Sequence, residues 1–469
     1  MRRRFKLTCI AAAAILAAAV VVSCSVGGPS PTASAQAETP LTDPPEIVSQ
    51  NGVLRAQIVV EMKPVDVAGR NLLALTYNGK FMPPTLRFRP GDRMELALEN
   101  RLGENTNLHV HGLHVSPAGN SDNIFLHIHP GQTFHYSYQF PENLQPGTYW
   151  YHPHPHPTSA PQVAGGMSGI IIVDGLKQLL PPDLRDITEH VIALKDFQVE
   201  GDAIKTVPLK ISKPTNRTVN GQLNPTVKIR QGEVQLWRLA NISANIYYNV
   251  HLQGQQFQVI AHDANPVDRI WAADSLLLAA GARFDVLVRG GPPGSTQLQT
   301  LAYNTGPAGN QFPQATLATL VSEGAPVSPV ELPTTFGTFE DLSNATLAAQ
   351  RTIVFSETNN PDAYFINGKL FDPNRVDIRS KLNTVEEWTV RNDSDEEHSF
   401  HVHTNDFQLM SINGQPHEAH GWQDVASIPA KGQIVVRTHF LNYTGKTVLH
   451  CHILNHEDLG MMAVLEIVR

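Results

Sequence analysis

Trp388-Thr389-Val390-Arg391-Asn392, with Asn367-Gly368 upstream and His401-Val402-His403 downstream, is a unit that the chain repeats. An earlier copy runs Asn220-Gly221, Trp237-Arg238-Leu239-Ala240-Asn241, His251-Leu252-Gln253. The first copy runs Asn78-Gly79, Glu99-Asn100, His109-Val110-His111. From the repeat's glycine to its first histidine the separations are 30, 30 and 33 residues. Asn-Gly is the dipeptide of tight hairpin turns, because both central residues of such a turn take left-handed backbone angles. The flanking segments alternate apolar and polar residues, as half-buried strands do. Repetition on this scale means one supersecondary unit built several times. The sequence therefore predicts an all-β chain of three consecutive β-sandwich domains, over 45–175, 186–325 and 345–469. Linkers are expected around Pro181-Pro182 and at 326–345.

Composition agrees. A chain of 469 residues suits about three domains at roughly 150 residues each. Charged residues make up only 17%, and Gly and Pro number 33 and 34, a mixture that favours short strands joined by turns. Net charge is −8. No Lys/Arg block lies beyond the N-terminus, which argues against nucleic acid as a partner. The 21 histidines turn attention to metal chemistry, imidazole being the commonest transition-metal ligand.

Arg2, Arg3, Arg4 and Lys6 precede an uncharged, mostly apolar run from Leu7 to Val22. At 16 residues the run is short for a membrane span, which needs about 20, and suits a signal segment over 1–23. Val21-Val22-Ser23-Cys24 resembles the lipobox of bacterial lipoproteins, with Cys24 as the lipid anchor, and Arg2-Arg3-Arg4-Phe5 resembles a twin-arginine signal. Ordinary cleavage further on, for example after Ala35, is the alternative. Either way the protein is expected outside the cytoplasm, periplasmic or at the cell surface. Residues 24–44, rich in Pro, Ser, Thr and Ala, are expected to form a flexible tether. Of the cysteines Cys9, Cys24 and Cys451, only Cys451 then lies in the folded part, without a disulfide partner.

Four His-x-His pairs stand out: His109/His111, His152/His154, His401/His403 and His450/His452. Residues i and i+2 of a strand share a face, so each pair offers two imidazoles side by side. One such pair is unremarkable, but four at matching places of the first and third repeats form a pattern. Gly147 and Gly445 each stand five residues before the second pair of their repeat. The middle repeat has only His251 where the others have a pair, so the histidines are not needed for folding. Cys451, between His450 and His452, must point to the opposite face of its strand. To complete a site around it, the sequence supplies His456 five residues on and Met461 five beyond, and His398 lies three residues before His401. Two His, one Cys and a weak Met are the donors of a blue-copper site, and this tips the metal from zinc to copper.

With His109-Val110-His111-Gly112, Trp150-Tyr151-His152-Pro153-His154, His398-x-x-His401-x-His403 and His450-Cys451-His452-x-x-x-His456-x-x-x-Gly460-Met461 in place, the chain resembles the three-domain multicopper oxidases: laccases, bilirubin oxidases and copper-efflux oxidases. The resemblance implies cupredoxin-like Greek-key sandwiches and four copper ions. It implies a type 1 copper on His398, Cys451 and His456 with Met461 axial. A type 2 copper would sit on His109 and His401, and a type 3 pair on His111, His152, His154, His403, His450 and His452. The first and third domains would share this cluster, the second acting as a spacer without copper. His156, and the unrepeated His114, His127, His129 and His135, are expected to be bystanders.

The implied reaction takes four single electrons from a reducing substrate, through Cys451 and its flanking histidines, to dioxygen, which becomes water. Glu457 and Asp122 match acidic residues of the family and are expected to serve the four protons this reduction consumes. The first expectation for the substrate is a phenol or aromatic amine, laccase-like. A metallo-oxidase for Cu(I) or Fe(II) is the alternative, although the eight methionines form no methionine-rich lid. A copper-free structural homologue, like the bacterial cell-division protein of this fold, would have lost ligands.

Overall fold

The computed structural model describes residues 38–206, 215–359 and 362–469. The expected signal, 1–23, the anchor Cys24 and most of the expected tether lie outside the described residues. Strands form three pairs of sheets in chain order, each pair a five-stranded sheet and a six-stranded one, besides a two-stranded ribbon. These are the three cupredoxin-like sandwiches. The alternation read in the sequence is visible in Arg93–Asn100, where Met94, Leu96 and Leu98 turn into the first core and Arg93, Glu95 and Glu99 turn out. Gln433–Phe440 does the same in the third domain. In every repeat the long leading strand pairs in parallel with the strand that ends at the repeat's Asn: Val53–Val67 with Arg93–Asn100, Glu189–Phe197 with Val234–Asn241, and Leu347–Asn359 with Thr384–Asn392. Parallel neighbours require a crossover between the sheets, the mark of the Greek key.

The repeated asparagines have two separate jobs. Asn78, Asn220 and Asn367 sit with their glycines in tight turns, φ positive at both residues, and each side-chain oxygen accepts the backbone N–H of a neighbouring strand: Val59, Ala193 and Val354. Asn100, Asn241 and Asn392 are buried, and each donates its amide to one carbonyl of the loop that leads to the histidine strand and to one or two carbonyls of a segment beyond that strand. Asn241 reaches Ile246, Leu278 and Ala279 at 2.8–3.1 Å, and Asn392 reaches Glu396, Ile428 and Pro429. Loop carbonyls turned inward need such donors, so the Asn fixes where the next strand starts.

Most of the strands that carry the His-x-His pairs are buried throughout. His109–His111, Gly147–His152 and His398–Val402 are buried at every residue, so one face meets the home core and the other meets a neighbouring domain.

Two expected connections prove to be structured. The tether ends earlier than 44: Thr39 and Leu41 hydrogen-bond both sides of Thr226, and Asp43 accepts from the backbone of Val191. These backbone groups found a strand edge of the second domain to pair with. Thr334, Phe336 and Gly337 of the 326–345 linker likewise bond the edge strand Asn265–Ala273. Val199–Ile204, from the expected second domain, extends the first domain's six-stranded sheet through Ala203 beside Leu73.

Asn241→Leu keeps the branched shape and the number of heavy atoms and removes the donor to three buried carbonyls. It should cost roughly 2–4 kcal/mol, read as a lower denaturation midpoint of the metal-free protein at unchanged copper-binding capacity. An unchanged midpoint would mean that Asn241 anchors nothing.

Candidate metal centre

Eight imidazoles meet in the seam between the first and third domains. His109 stacks on His403 at 4.0 Å and 4°, and His111 stacks on His401 at 4.0 Å and 14°. Each stack joins the two domains, and the order of the histidines is reversed between them, so an approximate two-fold axis runs through the group. On one side Nε2 of His450 lies 3.3 Å from Nε2 of His154 and 3.2 Å from Nε2 of His403. On the other, Nε2 of His452 lies 3.1 Å from Nδ1 of His111, with Trp150 stacked on His152 at 4.2 Å as a wall. All eight rings are buried.

The outer nitrogens determine what the inner ones can do. The carbonyls of Asp424, Pro153 and Cys451 accept from Nδ1 of His401, His152 and His450 at 2.8, 2.9 and 3.0 Å. The Asp122 carboxylate takes His109 Nδ1 at 2.9 Å, and Asp424 takes His111 Nε2 at 2.9 Å. Acceptors on the outside require N–H there, which leaves a lone pair on each inner nitrogen. Nε2 of His109, His152 and His401 is buried with no hydrogen-bond partner. Burial holds the imidazoles below their ordinary proton affinity, His152 at about 3 and His154 at about 4, and His109, His111, His401, His403 and His452 well below 6.5. Neutral, pre-aimed and unsatisfied nitrogens are what a soft divalent or monovalent cation needs. The donor set fits copper.

A second constellation lies on the opposite face of the strand Gly445–Cys451. Cys451 Sγ stands 3.7 Å from Nδ1 of His398 and 3.8 Å from Nδ1 of His456, and those nitrogens are 3.2 Å apart. Burial raises the thiol well above its ordinary value, so a thiolate there requires a cation beside it. Met461, fully buried, is tied to both partners: its N–H donates to the His456 carbonyl at 2.9 Å and its carbonyl accepts from Cys451 at 3.0 Å. His456 and Glu457 share the short helix Leu454–Asp458. The helix turns His456 to the thiol and Glu457 to the cluster, where its oxygens stand 3.0 Å from His450 Nδ1 and 3.4 Å from His154 Nδ1.

All ten ligand histidines of the sequence reading, with Cys451, thus converge in two places, and Met461 is tied to the second. Asp122 and Glu457 lie directly behind cluster imidazoles. Burial pushes Asp122 up to about 8, eased by the N–H of Val110. Burial also acts to raise Glu457, but attraction to His154 and His450 outweighs it and holds the carboxyl low. His156 stands apart, edge-on to Phe371 at 4.8 Å. His114 is spent on the Thr404 carbonyl and Asn442, and His129 on Asn105. His251 lies on the second domain, held by the Asp274 carbonyl.

Four acidic residues escaped the sequence reading. Asp424 backs His111. Glu396 Oε1 lies 3.3 Å from His456 Nε2, and Glu357 Oε2 lies 3.9 Å from His398 Nε2. Asp263 bonds the backbone N–H groups of Asp424 and Val425. Glu396 precedes His398 by two residues, a same-face spacing that could have flagged it; the others carry no local signal. The second domain is more than the expected spacer. Its Gly281 packs so closely on His111 and His452 that a Cβ would stand 3.2 Å from both rings.

Comparison with known proteins agrees with this geometry. The multicopper oxidase pattern matches three times, over residues 59–178, 190–325 and 344–469. Multicopper oxidase mco of Staphylococcus haemolyticus is 30% identical over 405 residues, 84% of this chain and 83% of that one. The cell division protein FtsP of Edwardsiella tarda is 28% identical over 434 residues, 89% of either chain. Among solved structures, a multicopper oxidase from Campylobacter jejuni, described as a metallo-oxidase, superposes with a TM-score of 0.81 at 26% identity, covering 92% of this chain and 95% of that one.

Cys451→Ser should abolish the blue colour of the copper-loaded protein, since the thiolate supplies the absorption, while copper held by the eight histidines stays. Absorption spectra and copper per chain read the two effects separately.

Proposed function

The chain belongs to the multicopper oxidase family, a copper-dependent oxidoreductase, and on that premise we propose that it reduces dioxygen to water with electrons from a small reductant arriving beside His456. Four coppers are assigned. His398, Cys451, His456 and Met461 take the type 1 ion, His109 and His401 the type 2 ion. The groups His111/His152/His452 and His154/His403/His450 take the type 3 pair. When bound, the coppers pass single electrons and give them to dioxygen. Convergence of the ligands in two buried groups supports this assignment; a copper-free structural protein would have no reason to keep them. Cys451 is joined through the backbone to His450 and His452, which makes a short covalent path between the two groups. Asp122 and Glu457 fix ligand tautomers, and Asp122, with its raised proton affinity, is the better placed of the two to hand over a proton.

One contact carries the choice of reductant: Glu396 against Nε2 of His456 at 3.3 Å. Burial, a hydrogen bond to Glu357 and the charge of Glu357 raise Glu396 to about 9, so the pair shares protons that a cation can displace. The adjoining cleft, about 1190 Å³, carries Glu104, Asp362, Glu396 and Asp458 against a single Arg101. Tyr364 lies flat on His456 at 4.1 Å and covers the ring face a phenol would stack upon. A reduced metal ion, Fe(II) or Cu(I), is the substrate class these groups fit. The expected laccase-like oxidation of phenols is the second reading, supported by the width of the cleft and its apolar wall of Leu75, Leu102 and Pro157.

The basic and then apolar N-terminus supports export, with Cys24 as the lipid anchor. Cys24→Ser should move the protein from the membrane fraction to the soluble exported fraction; an unchanged distribution would remove the anchor.

Glu396→Gln should lower kcat/KM for Fe(II) and Cu(I) by roughly tenfold or more, as loss of about 1.4 kcal/mol of charge interaction does, and leave a neutral phenol within about twofold. Equal effects on both substrate classes would reverse the preference.

A further inference from the structure

We propose that Arg283, on a domain that holds no copper ligand, is a positioning residue for the copper cluster and acts by bracing Asp424. This rests on the ligand assignment above. Arg283 is fully buried and its guanidinium reaches all three domains. Nη1 and Nη2 each donate to Asp424 at 2.7 Å. Nε donates to the carbonyl of Thr148 in the first domain at 3.1 Å, and Nη1 to Gly281 in its own. A bidentate Arg–carboxylate pair fixes the carboxylate plane as well as its place.

Asp424 faces two ligands. Its Oδ1 takes the Nε2–H of His111, leaving Nδ1 for the metal, and its backbone carbonyl takes the Nδ1–H of His401, leaving Nε2. The residue therefore sets the tautomer of one type 3 and one type 2 ligand at once. A carboxylate this deeply buried needs a cation against it to be held in place, and Arg283, with both Nη atoms at 2.7 Å, is that cation. Asp263, also of the second domain, holds the Asp424 backbone through its N–H at 3.2 Å.

The glycines on either side are consistent with a built contact. Gly112, directly after His111, has φ +82, and a Cβ there would stand 2.5 Å from both Arg283 Nη2 and Asp424 Oδ2. Gly281 leaves no room for a side chain against His111 and His452. The histidine strand thus accommodates the pair by giving up a side chain at its end.

The test uses the full-length copper-loaded protein with Arg283→Met, Arg283→Lys, Asp424→Asn and the Arg283→Met/Asp424→Asn double variant. Three quantities are read: blue absorption, copper per chain, and the electron paramagnetic resonance signal of the non-blue copper. Arg283→Met should keep the blue absorption, change the hyperfine splitting of the non-blue signal, and lower copper affinity at the cluster roughly 10–100-fold. Arg283→Lys should recover part of both, since an ammonium replaces the charge without the fork. Asp424→Asn should reproduce the Arg283→Met signal, and the double variant should add nothing, as for residues that act as one unit. A wild-type non-blue signal and full copper in Arg283→Met would overturn the proposal. If Arg283→Met does not fold, a wild-type signal in Asp424→Asn overturns it equally, and an altered one upholds it. Wild-type protein without any non-blue copper signal would sink the ligand assignment and the proposal together, an outcome distinct from either.

Discussion

Eight imidazoles can turn their lone pairs toward one small interior volume only if their rings are held in place and something positive occupies the middle. Lone pairs 3.1–3.3 Å apart do not attract one another. The rest of the molecule answers to this constraint. Carbonyls and carboxylates pin the outer nitrogens of His109, His111, His152, His401 and His450, most of the ligand strands are buried on both faces, and asparagines fix where those strands begin. Copper affinity in such a site depends as much on these outer partners as on the ligands.

The approximate two-fold relation between the first and third domains explains why both are required. Each domain offers two His-x-His strands, and one domain alone faces its imidazoles into the seam with nothing opposite. Within the paired His-x-His strands the symmetry breaks where Pro153 in one domain stands for Cys451 in the other. Because successive strand residues point to opposite faces, the thiol belongs to a separate group of ligands although its neighbours in the chain belong to the cluster. On the proposed function, electron entry and dioxygen reduction are thereby kept apart in space and joined by a few covalent bonds.

Much of this was legible in the sequence because it depends on local spacing. Asn-Gly turns, strand alternation and i, i+2 histidines each require only nearby residues, and repetition supplied the comparison that separated ligands from bystanders: His251 without a partner, His156 without a counterpart. What escaped depends on distant chain segments meeting. Asp424 follows His401 by 23 residues and reaches His111, 313 residues away. Glu357, on the strand Leu347–Asn359, and Glu396, in the loop before His398, come together beside His398 and His456. The second domain looked like a spacer because its histidines are gone, whereas its contribution is a buried arginine and two carboxyl oxygens of Asp263, residue types that carry no motif. The tether and linker looked flexible from composition, yet their backbone groups pair with open strand edges, a matter of position that composition does not encode.

His111 and His452, 341 residues apart in the chain, touch across the cluster. A site whose halves are so remote cannot exist before the last strand has docked. Copper therefore cannot nucleate folding as zinc does in a small finger, where binding and folding are one event. Three domains must close their long loops first, the slow part of assembling a non-local β structure. The metal-free chain is thus a folded species with its own lifetime. With the eight cluster rings already buried, copper bound for the seam between the first and third domains meets a finished protein.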